Sequence, residues 1–561
     1  MASNHLIKSQ YLKYFLVALA MGLLLRFIET AQVYFKFNPK YLLASEGFGV
    51  LRDIFITGLI LIFTYPLYHS LHRKWPVHGK LLTWFFIGTF VFLHIAISEY
   101  FFYQLRPLDI FLFKHRPEEM AFSIQTAGFN VYLPFFLKSI FVLLSYYLLV
   151  LYVERKTLPV QWAKPIAVGY AMASIVFLPI YFFVKLPVSS NLSVNKSTFL
   201  YSNIVLDWYH SVFGPDRAKL ANHYQEHFPD RKYLSGQYPF LHQFEPDDRL
   251  GSHLDSLASA PNLVVIIVEG LSDDFIHPIQ GIPFMPYLDS LSTKSLYWKH
   301  FFATSERSFG ATPSINGSLP YANDGFALLH QFPYHFSLAN IFKENQFLTS
   351  FYYGQGAWFH GKEAFYRFNN IDRIIDKTVF NKQLEKVYVG PDNHFWGYND
   401  MDLFQQYFLS TDSIRERKRY DVFFTGTSHA PFALKHPDRY HKKLDAAIAG
   451  LSGLEAREHF EKYRTYYTSL YNVDEAIRYF MESYSNRPDY EQTLFVITGD
   501  HPMTEIPVEN ELKKYQVPLI VYSPLIREPQ TFQEFASHLD LYETLLSYYH
   551  NQFQLNVPTV S

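Results

Sequence analysis

Apolar positions are distributed very unevenly along this chain. Five runs crowd its first third: Leu12–Phe35, Leu51–Leu71, Leu81–Phe102, Val131–Val153 and Pro165–Val184. Each reaches the ~20 residues that a helix needs to cross hydrocarbon. The pattern therefore predicts a five-span helical membrane domain over residues 1–185. The first run is too long for a cleavable signal peptide, and more runs follow it. Arg26 and Glu29 fall about one helical turn apart inside it. They read as an ion pair near the bilayer interface, or as a polar site between helices.

The texture changes twice after that. Residues 186–260 are polar, with Ser189, Ser190 and Asn191 at the start, and read as a linker. An amphipathic helix over Asn203–Phe213 would rest on the bilayer surface. From Asn262, short β-branched runs alternate with longer mixed segments: Leu263–Val268, Phe347–Tyr353, Val422–Thr425, Leu494–Thr498 and Val517–Val521. Continuous apolar strands separated by helical stretches predict a largely parallel sheet covered on both faces, here an α/β domain over residues 261–561. In such domains ligands gather at the carboxyl ends of the strands. Tyr463–Tyr471 reads as a helix packed on the sheet, and the basic run Arg415–Arg419 as a solvated helix end.

Composition supports the division. Charged residues are 18% of the chain, against about 25% in ordinary soluble domains, and aromatic residues are 19%. The net charge of −2 gives no electrostatic reason to expect nucleic acid as a partner. With no Cys, disulfides, thiolate metal sites and Cys nucleophiles are excluded. Lys8, Lys13, Arg73, Lys74, Lys80, Arg155, Lys156 and Lys164 fall on the N-terminal side of the predicted spans. Lys36, Lys40, Arg106, Lys114 and Arg116 fall on the other. That bias places the N-terminus in the cytoplasm and, after five spans of a cytoplasmic membrane, the α/β domain outside it. No ATP pool lies there, so group transfer needs an activated donor already in the membrane.

Two strands end in acids. Leu263–Val268 runs into Glu269-Gly270, and Leu494–Thr498 into Gly499-Asp500-His501. Side by side, they would offer Glu269, Asp500 and His501 to one divalent cation, an oxygen-plus-imidazole set suited to Mn²⁺, Mg²⁺ or Zn²⁺. The segment Ala303-Thr-Ser-Glu-Arg-Ser-Phe-Gly-Ala-Thr-Pro313 reads as a hydroxyl-rich loop entering a helix. A hydroxyl there is either a nucleophile beside the cation or an N-cap, with Thr304, Ser305 and Ser308 all eligible.

Taken together, Glu269, the hydroxyl loop and Thr498-Gly-Asp-His501 resemble the alkaline phosphatase/sulfatase superfamily. Five preceding spans resemble its lipoteichoic acid synthase branch, as do three further segments: Trp396-Gly-Tyr-Asn-Asp400, Thr427-Ser-His429-Ala-Pro-Phe432 and Phe359–Tyr366. The resemblance implies metal ligands at Glu269, Asp500 and His501. It places the nucleophile, itself a metal ligand, on Ser308, and substrate-binding positions on Gln355, Lys362, Trp396 and His429. His429 would donate to a phosphate oxygen or act as general acid. Mn²⁺ is the cation it favours.

Three departures accompany it. Ser308 stands for the branch's usual Thr, Lys362 for an Arg and Gln355 for an Asp. The machinery looks intact while the headgroup pocket looks altered. Sulfatases of this superfamily use a C/S-x-P-x-R motif, and Ser308-Phe-Gly-Ala-Thr312 has neither the Pro nor the Arg. The resemblance thus implies a metal-dependent phosphotransferase. It would move a glycerol phosphate-like headgroup from a phospholipid to a glycan or lipid acceptor through a phospho-Ser intermediate. Phosphoethanolamine transfer, phosphodiester hydrolysis and a non-catalytic lipid sensor are the alternatives, and the oligomeric state is left open.

Overall fold

The computed structural model describes residues 2–36, 42–104, 107–110, 129–156, 190–214 and, with short omissions, 217–558. They form two compact units that divide after Gly214.

The first unit is helical. Its long helices are α1 (Ala2–Lys36), α2 (Leu42–Lys74), α3 (Pro76–Gln104) and α4 (Phe129–Glu154). Three of the five expected spans have helices long and apolar enough to cross a membrane, over Gln10–Phe35, Pro76–Phe102 and Leu133–Glu154. The expected Leu51–Leu71 span falls in a pair of helical segments bent by 45° between Ile60 and Thr64, which together are long and apolar enough for one broken span. Pro66 supplies the cause, since it lacks an N–H and its ring displaces the carbonyl four residues back. The Pro165–Val184 run lies outside the described residues. Apolar side chains on α3 and α4, among them Phe85, Phe86, Leu137, Ile140, Phe141, Leu144 and Leu148, are exposed. Water tolerates no apolar face of that extent, and lipid does.

A smaller core of Tyr14, Val17, Met21, Leu25, Trp84, Val91 and Ile95 ties the helices together. The Lys196–Phe213 helix, which contains the expected amphipathic stretch, packs with α3 inside this unit. Arg26 and Glu29 do pair, at 3.3 Å, but within a larger group of buried charges.

The second unit is built on ten strands: β1 (Asn262–Val268), β2 (Leu296–Phe302), β3 (Leu348–Tyr353), β4 (Arg373–Ile375), β5 (Val387–Val389), β6 (His394–Gly397), β7 (Arg419–Phe424), β8 (Thr493–Gly499), β9 (Gln516–Tyr522) and β10 (Gln530–Ser537). Eight make one sheet in the order β10-β2-β9-β8-β1-β7-β3-β4, and β5 and β6 form a separate hairpin. The five strands from β8 to β4 run parallel, and four of them, β8, β1, β7 and β3, are strands that the apolar runs predict. Beyond β8, β9 is reversed and pairs antiparallel with both neighbours.

Both faces of the centre are buried. Leu263, Val265 and Ile267 pack with Ala311 and Ile315 of the Ser308–Gly317 helix and with Leu545 and Tyr549 of the C-terminal helix. On the opposite face, Phe423 and Phe495 meet Tyr407, Phe480 and Tyr484 from the Asp400–Thr411 and Arg464–Tyr484 helices. The edge strand β10, QTFQEFAS, is mostly exposed and carries an irregularity between Phe532 and Phe535, which discourages pairing with another chain. One basic residue departs from expectation: Arg419 is not at a solvated helix end but fully buried at the start of β7.

Candidate metal centre and substrate pocket

Strands β1 and β8 are parallel neighbours, with Val268 opposite Gly499, so the residues that follow them emerge together. Gly270 adopts φ +67°, a left-handed turn that a side chain resists, and so directs Glu269 into the cleft. Two hydrogen bonds fix the Glu269 backbone: its N–H donates to Thr425 Oγ1 at 3.0 Å, and its carbonyl accepts from Ser428 Oγ at 2.5 Å. Asp500 Oδ1 accepts the N–H groups of Gly270 and His501, both at 2.8 Å. That leaves Asp500 Oδ2 buried without a partner. His501 Nδ1 faces the Pro502 carbonyl at 2.9 Å, which makes it the protonated nitrogen. The lone pair is then on Nε2, which lies 3.6 Å from Glu269 Oε1 and 3.4 Å from Asp500 Oδ2.

Ser308 opens its helix, where first-turn N–H groups have no intrahelical acceptor. Its Oγ lies 3.3 and 3.2 Å from the two Glu269 oxygens and 3.2 Å from His501 Nε2. The other candidate hydroxyls are engaged elsewhere. Ser305 bonds the Arg307 backbone, and Thr304 meets Ser314 Oγ at 2.7 Å. Of the three, Ser308 is the one that reaches Glu269 and His501.

Glu269, Asp500 and His501 offer ligand atoms within 4.8 Å of one another, all buried. Burial, and then the negative charge of Asp500, push Glu269 up to about 8. Two carboxylates facing each other, an orphaned Asp500 oxygen and an imidazole lone pair aimed between them form a site short of positive charge. A divalent cation would fit that donor set, held by Glu269, Asp500 and His501 with the Ser308 hydroxyl beside them.

Beside it lies a pocket lined by Tyr353, Gln355, Gly356, Trp358, Phe359, Trp396 and His429. Three of the four expected substrate residues thus share one wall system. Trp396 stacks on His429 with ring centroids 6.0 Å apart, and Phe359 meets that imidazole edge-on. His429 Nδ1 pairs with the Ala430 carbonyl at 2.6 Å, leaving Nε2 as the ring's acceptor. Burial, aided by the charge of Lys362, holds His429 below the usual imidazole range. Gln355 lies flat on Gly426, where an added Cβ would sit 2.0 Å from Oε1. Its Nε2 donates to the Tyr398 carbonyl at 3.2 Å, and its Oε1 is buried without a partner. Lys362 is placed differently. It is 1% exposed, and its ammonium sits 4.5 Å from the Phe424 ring centre and 5.0 Å from that of Tyr353. From there its charge favours the ionised Glu269.

A family model described as Sulfatase matches residues 261–550. The chain belongs to the sulfatase family. The lipoteichoic acid synthase-like YvgJ of Bacillus subtilis is 23% identical over 318 residues, 52% of this chain and 47% of that protein. The chain thus aligns with about half the length of this curated relative. Two solved structures are similar over part of the chain. An alkaline phosphatase superfamily protein from Vibrio parahaemolyticus has 20% identity and a TM-score of 0.46, covering 59% of this chain and 74% of its own. The lipoteichoic acid synthase LtaP from Listeria monocytogenes has 16% identity and a TM-score of 0.44, covering 53% and 75%.

Sequence reasoning missed the residues that hold the site in place. Thr425 and Ser428 anchor Glu269. His538 Nε2 meets the Gly499 carbonyl at 2.9 Å under the Asp500 turn. Asp400 accepts the Gly426 N–H at 2.8 Å and the Thr427 N–H at 3.3 Å, fixing the loop that carries His429. Asp400 was visible in the Trp396–Asp400 segment, but only as part of a resemblance without a task.

Proposed function

We propose that this sulfatase-family protein is a metal-dependent phosphotransferase of the lipoteichoic acid synthase type, anchored in the cytoplasmic membrane with its α/β domain outside. The observation that carries the reading is the Ser308 hydroxyl, set 3.2 to 3.3 Å from Glu269 and His501 at the mouth of a helix. A bound Mn²⁺ would supply stabilisation for a serine alkoxide and for charge developing on a phosphate. Ser308 Oγ bonds to the phosphorus of a phospholipid such as phosphatidylglycerol as the bond to the diacylglycerol oxygen breaks. That oxygen takes up a proton in place of the one the serine gives up. The phospho-headgroup stays on Ser308 until an acceptor hydroxyl on a glycan or lipid displaces it. With Nδ1 committed to Ala430, His429 serves as the acceptor of that hydroxyl's proton, and Ser308 recovers one on release. Lys362 offsets negative charge from behind the pocket, and Gln355 Oε1 and the Trp396 ring meet the headgroup.

The test uses purified full-length protein in detergent with Mn²⁺ and phospholipids carrying fluorescent tails. Release of labelled diacylglycerol should fall at least ~10³-fold in Ser308→Ala while metal binding persists. Undiminished release would sink the assignment of Ser308. Release without transfer in the presence of candidate acceptors would make the protein a phosphodiesterase.

A further inference from the structure

A second group of buried charges lies inside the helical unit, away from the metal centre. Arg26 Nε and Nη2 hold Asp53 at 2.7 and 3.0 Å, and Nη2 also donates to the Val194 carbonyl at 3.1 Å. Nη1 faces three acceptors: the Leu192 carbonyl at 2.8 Å, Glu46 Oε2 at 3.2 Å and Glu29 Oε1 at 3.3 Å. A guanidinium Nη carries two hydrogens, so one acceptor is under-served. Glu29 has compensation from Lys196 Nζ at 2.8 Å, and Asp53 from Asn195 Nδ2 at 2.7 Å. Among the described residues, Glu46 has only its share of one N–H. It is 4% exposed, and its Oε1 is buried with no hydrogen-bond partner.

The charges point the same way. Among the described residues, Glu29 and Arg26 on α1, Glu46 and Asp53 on α2, and Lys196 beyond the helices give three carboxylates and two cations. The α3 group facing them is His94, whose Nδ1 meets Ser197 Oγ at 2.6 Å. Glu99 of α3 and Lys138 of α4 balance each other as a separate pair. Thr30, beside Glu46, spends its hydrogen on the Arg26 carbonyl at 2.8 Å. It therefore offers Glu46 lone pairs and no proton.

We propose that the helical unit binds one small monovalent cation at Glu46, a proton or an alkali ion, with Thr30 Oγ1 as the second acceptor. That single charge fills both deficits, the net negative charge of the cluster and the unpaired oxygen. The same cluster holds Leu192, Val194, Asn195 and Lys196, so the bound cation also fastens the segment after the membrane helices onto α1 and α2.

The test takes full-length protein in detergent. Infrared spectra are compared between wild type and Glu46→Gln, and melting is followed in sodium, potassium and choline chloride. A bound proton gives a carboxylic-acid carbonyl band that disappears in Glu46→Gln, with melting the same in all three salts. A bound alkali ion gives no such band, but a melting temperature higher in sodium or potassium than in choline, and Glu46→Gln loses that difference. Either result supports the site. Asp53→Asn, which alters a carboxylate already held by Arg26, keeps the signal if Glu46 carries it. Wild-type and Glu46→Gln spectra that match in the carboxylic-acid region, together with no salt dependence that Glu46→Gln removes, would overturn the proposal.

Discussion

The two ends of the central sheet bury acids in opposite ways. At the amino ends, Arg419 sits between Asp421, at 3.2 Å, and Asp489, which Arg487 also holds at 3.0 Å. Its remaining donors reach the Ile414, Arg415 and Arg417 carbonyls and the Tyr484 hydroxyl. At the carboxyl ends, Glu269 and Asp500 face one another with an imidazole and a serine hydroxyl between them, and the nearby Lys362 stands behind an aromatic ring. Carboxylates matched by guanidinium groups close the fold. Asp421 Oδ1 and Asp500 Oδ2 both lack a hydrogen-bond partner, so the difference is that the carboxyl-end acids face each other with no guanidinium, which defines a place for a cation.

The sharpest way to break this contrast is to remove the arginine. Arg419→Met leaves Asp421 buried with Tyr407 as its remaining side-chain hydrogen-bond donor. It should cost about 3 to 5 kcal/mol of stability in chemical denaturation of the full-length protein. A loss below ~1 kcal/mol would show that the amino end is no better matched than the carboxyl end.

Next comes His538, which supports the Asp500 turn. Burial pushes it down to about 4 from the usual 6.5. The unfolded chain therefore takes up a proton before the folded one does. The neutral imidazole's contribution is complete above pH 6.5 and lost as pH falls towards 4, a change of about 3 kcal/mol. Stability measured between pH 7 and 4 should fall more steeply in wild type than in His538→Gln. Parallel curves would remove His538 from the account.

Metal is the third lever. Mn²⁺ at one hundred times its dissociation constant should stabilise wild-type protein by about 2.7 kcal/mol. Glu269→Gln, which removes one of two opposed carboxylates, should lose most of that gain while matching or exceeding the metal-free stability of wild type. If the metal-free variant were markedly weaker, Glu269 would be acting as a structural acid like those at the other end.

Legibility in the sequence follows the same physical divide. The five strands read from apolar runs are central ones, buried on both faces and therefore written as uninterrupted hydrophobic stretches. Strand β2, LYWKHFF, carries exposed Lys299 between partly exposed Trp298 and His300, and β10 is polar, so neither produces such a run. At the site, an acid beside a glycine after a strand is a local signal, and Glu269 and Asp500 carry it. Choosing Ser308 over Ser305 rested on resemblance, because what separates them is which hydroxyl meets an acid 39 residues away. Asp53 and Lys196 around Arg26 were equally hidden, since their partners come from other helices.

The smallest effect tests how the open end keeps its shape. Asp400 grips the Gly426 and Thr427 N–H groups, while its own N–H donates to Thr427 Oγ1 at 3.0 Å. Asn399 ties Ala433 and Lys435 to the same segment at 2.9 and 2.8 Å. None of these bonds touches the metal ligands. Asp400→Asn keeps one acceptor oxygen but turns an amide towards the Thr427 N–H, so the loop should loosen without disturbing the cation. The expected outcome is a roughly tenfold loss of turnover, about 1.4 kcal/mol, with Mn²⁺ affinity unchanged. Equal losses in both would mean that the loop and the metal centre move as one body. A loss confined to turnover would show that the pocket side of the cleft is positioned independently of the charge-deficient side.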